Sequence, residues 1–195
     1  MIDHPVQFDV QLPSRTARVH VLTRLVLLVA VGTLGTSALY GALYLALPAL
    51  VALVVGQQGA EAYRTRYAPK VVTALRWLAA AYGFMWMLTD VLPTAQGSPV
   101  DLRVELSGQP TVRSALLRLI TSLPALFLLM LLSVVATVLW VVAALVVVVR
   151  ERLPESVARF IAVTLRYQFR LVAYHLSLVD RYPALHEGAV AQAPA

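Results

Sequence analysis

Two stretches of the chain alternate apolar and polar residues with a period of two, residues 6–12 (VQFDVQL) and 100–106 (VDLRVEL). That period puts successive side chains on opposite faces, so each stretch predicts a half-buried β-strand. Each begins just after a proline, Pro5 and Pro99, and runs into a polar turn. In the second turn, Pro110 suits the first turn of a following helix. The pattern then becomes continuously apolar, over residues 25–55 and 119–149, with no charge between Arg24 and Glu61 or between Arg118 and Arg150. A helix crossing a bilayer needs only about 20 such residues. As a helix, residues 119–149 would run about 46 Å against a hydrocarbon core of roughly 30 Å, so it must tilt, bend or project. Pro48 and Pro124 are the expected bend points.

A third element closes each pattern. Residues 71–92 carry only Arg76 and Asp90 as charges, and the Ala79/Gly83 spacing suits close helix packing in lipid, so this segment reads as able to span. Residues 156–178 gather Arg159, Arg166 and Arg170 on one side of the helical wheel, opposite Phe160, Ile161, Leu165, Phe169 and Val172. That segment also reads as an amphipathic helix lying in the interface.

The two halves are alike in more than outline. Pro5-Val6, Leu22, Arg24 and Leu25 match Pro99-Val100, Leu116, Arg118 and Leu119 at an offset of 94. Leu75-Arg76-Trp77, Leu88, Asp90 and Pro93 match Leu165-Arg166-Tyr167, Leu178, Asp180 and Pro183 at an offset of 90. Identities in Pro, Arg and Asp are not what a shared apolar composition produces, so the chain reads as a tandem repeat. The units are 1–95 and 96–184, followed by a disordered tail, 185–195. A lone strand leaves its backbone groups unpaired, and pairing 6–12 with 100–106 satisfies both. That pairing favours two membrane helices per unit, with both strands on one membrane face and a pseudo-two-fold axis along the membrane normal. The fold class expected is therefore an all-α integral membrane protein, internally duplicated. It has four membrane helices, two long and spanning and two shorter and spanning or interfacial, with a small extramembrane strand pair.

Composition supports the membrane assignment. Of 195 residues, 59% are hydrophobic and 13% charged, with a mean hydropathy of +0.76, whereas soluble domains carry about 25% charged residues. The net charge of +6 comes from 16 Lys+Arg against 10 Asp+Glu, scattered at segment ends. That distribution favours anionic lipid headgroups as partners over nucleic acid. Without cysteine there is no disulfide framework, thiolate metal site or thiol nucleophile. Residues 1–20 include Asp3, Asp9, Arg15 and Arg18 and lack an apolar core, so no cleavable signal peptide is expected and the first apolar segment serves as the insertion signal. The basic residues do not separate two membrane faces, which leaves orientation open.

Little in the chain points to chemistry. His4, His20, His175 and His186 have no metal-ligand spacing. Nucleophile elbows and phosphate-binding loops are absent from the sequence. No catalytic residue, metal or cofactor is expected, and the protein reads as a non-enzyme. Small residues at Ser37, Ala38, Gly41, Ala42 and Ala46 suggest a helix-packing face. Asp90 and Asp180 read as helix-terminating groups rather than proton carriers. Arg166 and Arg170, four apart, repel unless an anion lies between them. With Tyr167, Tyr174 and His175 on the same segment they suggest a site for a lipid phosphate, to which Arg76 and Trp77 of the first unit are the weaker counterpart. The competing expectation is that the arginines snorkel to water or pair with Asp180, Glu155 or Asp90.

The runs Arg152-Leu153-Pro154-Glu155, Leu165-Arg166-Tyr167, Arg170-Leu171-Val172-Ala173-Tyr174 and Val179-Asp180-Arg181-Tyr182-Pro183 resemble an uncharacterised bacterial membrane family, a domain of unknown function. Its units end in Arg-aromatic, Arg-Val-x-x-Tyr and Thr-Asp-x-Tyr-Pro-Pro-Phe motifs. The chain departs from them at Val179 and at Ala184-Leu185, and its first unit keeps only Arg76-Trp77, Thr89-Asp90 and Pro93. The resemblance implies a multi-pass protein of the bacterial cytoplasmic membrane and no activity. The expected role is a scaffold or accessory subunit of a cell-envelope or membrane complex, with a protein partner or a second copy in the membrane. The alternatives are a small transporter or lipid-handling protein with its site between the repeats, and a membrane-shaping protein.

Overall fold

The structure, a computed structural model, describes residues 4–13, 15–34, 37–93 and 98–185, and the backbone alone over 27–43. Strand β1 (Val6–Val10) leads into α1 (Arg18–Leu34) and α2 (Ser37–Ala62), which form a first long arm. A π-helical turn, Tyr63–Tyr67, joins this arm to α3 (Ala68–Met85). Strand β2 (Val100–Val104), α4 (Val112–Thr121), α5 (Leu123–Arg150) and α6 (Glu155–His175) repeat the order, with α4 and α5 forming the second arm. Among the described residues two helices are long and apolar enough to cross a membrane, Tyr44–Met85 and Leu123–Arg150, the second with a mean hydropathy of 2.9. The side chains of Ser37, Ala38, Gly41 and Ala42, most of the expected small-residue face, and the tail from 186 onward lie outside what is described.

The breaks in the arms have local causes. Non-helical backbone falls at Gly59 (φ 87°, ψ 160°), while Pro48 sits inside α2. Glycine alone takes that conformation without strain, so Gly59, rather than Pro48, turns the chain toward α3. Pro124 begins α5, where a missing N–H costs nothing. Pro110 stands ahead of α4, whose cap is Thr111: its hydroxyl accepts from Ser114 N at 3.0 Å and Ser114 Oγ accepts from Thr111 N at 2.9 Å. Such reciprocal caps stabilise a helix start by about 1 kcal/mol.

The arms run antiparallel. Arg18 at the start of the first arm donates to Val149 O (3.3 Å) and pairs with Glu151 (2.8 Å) at the end of the second. Tyr44 bonds Leu119 O and Ser122 Oγ, and Gly56 lies against Val112. Two spanning helices per unit with both strands beyond one end would instead make the arms parallel. Short linkers allow what is seen: each strand folds back from the opposite end of the arm pair, and the two meet beside its middle.

Over the arms lies a second layer, α3 and α6; α6 doubles back along α5, and α3 ends beside the start of α1. The third layer is the two-stranded antiparallel sheet, with Val6 opposite Val104, Phe8 opposite Leu102 and Val10 opposite Val100. Val6, Phe8, Val100 and Leu102 are buried on one face, the alternation the pattern predicted. Phe8 stacks on Phe169 of α6 (5.6 Å between centroids), and Tyr82 of α3 meets Phe169 edge-on. The close approach expected at Ala79 and Gly83 is real, but its partner is a strand: a Cβ on Gly83 would lie 2.6 Å from Val100 Cγ2.

Candidate functional site

The polar groups that sequence patterns single out gather at two kinds of place, the ends of α3 and α6 and the open edges of the sheet. Both helices end in the same reversal. Leu88 N bonds Gly83 O and Met87 N bonds Phe84 O after α3, while Leu178 N bonds Ala173 O and Ser177 N bonds Tyr174 O after α6. Met87 (φ 63°) and Ser177 (φ 56°) take the left-handed position. Glycine is the usual residue there, and for another residue the conformation costs roughly 1–2 kcal/mol. The reversal turns the next carbonyls and a carboxylate toward a buried arginine.

After α3 that arginine is Arg24, with no exposed surface. Its Nη2 donates to Thr89 O (2.6 Å) and Asp90 Oδ1 (2.7 Å), and the guanidinium lies over the Phe84 ring at 4.6 Å. Asp90 Oδ2 also accepts from Ala17 N, just ahead of α1. After α6 it is Arg118, which donates to Tyr174 O, Val179 O and Asp180 Oδ1 and lies over the Tyr174 ring at 4.5 Å. Asp180 Oδ2 accepts from Gln109 N, just ahead of α4. The helix-terminating role expected of the two aspartates thus extends to joining each helix end to the start of its own arm. Sequence reading paired Arg24 with Arg118 and Asp90 with Asp180 by offset, yet missed that each Arg clasps its Asp. The recurrence of both types at matching positions was the available signal.

At the sheet edges the arginines cross between halves. The bonds Glu105 N to Pro5 O and Gln11 N to Pro99 O turn the odd-numbered residues of β1 toward β2, so the carbonyls of Val6 and Phe8 point off its open edge. Arg166 donates Nε and Nη2 to Phe8 O (3.2 and 3.0 Å), and Arg170 donates Nε to Val6 O (3.3 Å) and Nη1 to Ala184 O (2.7 Å). Arg76 of α3 donates Nε to Leu102 O of β2 at 3.1 Å. Helix α6 of the second half therefore holds the strand of the first, and α3 holds the strand of the second.

This geometry bears on the site expected for a lipid phosphate. Arg166 and Arg170 are 8% and 2% exposed and bond backbone carbonyls, with Asp9 3.7 Å from Arg166. These bonds run to backbone carbonyls inside the chain. Tyr167 is buried with Ala125 and Leu171, and Tyr174 bonds Thr121 Oγ1 at 3.0 Å. His175 is buried against the stacked ring of Tyr44. Trp77 is more than half exposed. A groove of about 50 Å³ beside β1, lined by residues including Phe8, Asp9, Arg159 and Arg166, has room for only a few water molecules. Among the described residues no three His, Asp or Glu side chains gather as metal ligands.

His4 stands just ahead of β1, 2% exposed, with Nδ1 accepting from Val6 N at 3.1 Å. Burial, then the charges of Arg170 and Arg181, push its pKa down to about 4. At the matching place in the other half, Ser98 Oγ accepts from Val100 N at the same distance.

No curated protein and no solved structure matches the chain. Residues 113–185 match a protein family described as a domain of unknown function, DUF4389, a stretch that holds the Arg118 clasp and both arginines on the β1 edge and agrees with the resemblance to an uncharacterised family.

Proposed function

We propose that the protein is an internally duplicated, non-enzymatic membrane protein of the bacterial cytoplasmic membrane, a scaffold or accessory subunit of a cell-envelope complex. The observation that carries the reading is the use made of the polar side chains. Arg24, Arg118, Arg166 and Arg170 each donate to backbone carbonyls or carboxylates of the same chain. Bonds of this kind build a rigid frame, and among the described residues they leave no convergent group to act on a substrate. The apolar arms supply the attachment to lipid. Duplication is supported by the two clasps, whose Arg, Asp, aromatic ring and left-handed residue recur at the offsets of 94 and 90 found in the sequence.

Purification from native membranes tests this reading. A scaffold co-purifies with a defined protein partner at fixed stoichiometry, and the partner is lost when exposed side chains are changed while the frame stays folded. A protein that purifies alone with one lipid or solute bound per chain would be a carrier, which overturns the proposal.

A further inference from the structure

We propose that the two arms do not cross the bilayer but lie flat in one leaflet, apolar side down, with the sheet facing water over anionic headgroups. The inference rests on the membrane reading above and adds an orientation to it.

The first ground is where the sheet sits. Helix α6 packs on α5 with one side and on β1 with another, and the strands bond Arg76, Arg166 and Arg170 in the middle of α3 and α6. The sheet is thus level with the middle of the arms, not beyond their ends. Its outward side chains are charged and open, Asp9 53%, Asp101 51% and Arg103 70% exposed. If the arms stood upright, those charges and the strand backbones would face lipid near the bilayer centre, where irregular backbone and open sheet edges do not occur. Lying flat, the arms leave the sheet two layers away, in water.

The second ground is the exposed stripe. On α5, Phe127, Val134, Val138, Val141, Leu145 and Val149 are each about half exposed or more. They follow one another at helical spacing along the whole helix, on the side away from α6. The apolar helix α5, 28 residues, runs about 42 Å, longer than the roughly 30 Å of a hydrocarbon core. An in-plane helix has no such length limit.

The third ground is charge. One end of the arm pair carries exposed Arg15, Arg18, Arg150 and Arg152 beside Glu151, and the other carries exposed Arg64, Arg66, Lys70 and Arg113 beside Glu61. A crossing protein concentrates its basic residues on the cytoplasmic side. Equal basic clusters at both ends suit a molecule whose two ends rest on the same anionic surface.

The chain has no cysteine, so single introduced cysteines report one place each. Gln57→Cys and Ser156→Cys mark opposite ends of the arms, and Asp101→Cys marks the sheet. In sealed membrane vesicles of one orientation, all three should react with an impermeant maleimide from the same side. Spin labels at Val134, Val138, Val141 and Leu145, in phosphatidylglycerol vesicles, should report one shallow depth throughout. Labelling of Gln57→Cys and Ser156→Cys from opposite sides, or a depth profile deepest at mid-helix, would overturn the flat orientation and leave the membrane reading intact. Spin labels that couple to each other between chains and exclude oxygen would assign the stripe to a second copy instead, which also overturns the proposal. Release of the protein by alkaline carbonate would overturn the membrane reading itself.

Discussion

The clasps at Arg24 and Arg118 are built from the same parts and differ in completeness. Arg118 reaches two carbonyls and a carboxylate, while Arg24 reaches one of each. Among the described residues, Arg24 Nε and Nη1 have no hydrogen-bond partner although the side chain is fully buried. A buried charge that is only partly matched recovers less of its desolvation cost than one whose donors are filled. The difference teaches that the second half is the better-determined of the two. It is also the half that the family match covers.

The largest test of that contrast is Arg118→Met against Arg24→Met. The first strands Asp180 and two carbonyls and should cost about 3–5 kcal/mol, while the second removes a poorly matched charge and should cost less. Urea unfolding in detergent micelles measures both, and equal losses would show that the clasps are equivalent.

The sheet edges sharpen the contrast. Arg166→Gln with Arg170→Gln should expose the β1 edge to amide hydrogen exchange and destabilise it by about 1–3 kcal/mol, leaving β2 more protected. Arg76→Gln should do the reverse with a smaller effect, since it breaks one bond to its strand rather than three. Uniform loss of protection in both variants would mean that the edges are not held separately.

Gly83 and Ala173 occupy matching positions, and only the first half needs glycine. Gly83→Ala should cost about 1–3 kcal/mol through its clash with Val100. Val100→Ala should recover part of that cost, and thermal melts of the two single variants and the double variant measure it. Strict additivity would show that the contact is not what matters.

The effect expected only below neutral pH is acid sensitivity of one strand end. His4 titrates near 6.5 when unfolded and near 4 when folded, so the unfolded chain binds the extra proton between those values. Stability is therefore full above about pH 6.5 and falls as pH drops toward 4, with a slope of at most about 1.4 kcal/mol per unit. His4→Ser, which installs the residue of the matching position, should flatten that part of the pH profile. An unchanged profile would assign the sensitivity elsewhere.

The strands and their pairing were legible because period-two alternation records which face is buried, and Phe8 opposite Leu102 follows from matching phase. The matching of Arg24 with Arg118 and of Asp90 with Asp180 was legible because these residues stand out in an apolar background. The antiparallel arms were not, because an apolar run records length and burial but carries no direction. Nor were the partners of Arg166 and Arg170: backbone carbonyls are present at every residue, so no pattern of side chains marks the ones a guanidinium will reach. Four-residue spacing correctly signalled that the two charges need something between them, and a strand edge supplied it.

The exchange of strands between halves has a consequence for assembly. A shorter chain ending its homology at one half would carry a strand with no helix of its own to cover it, and arginines facing an empty edge. Such a half cannot close as a monomer without leaving both uncovered, whereas two copies can close by trading strands. Joined in one chain, the two halves close on each other, each strand covered by a helix of the other half.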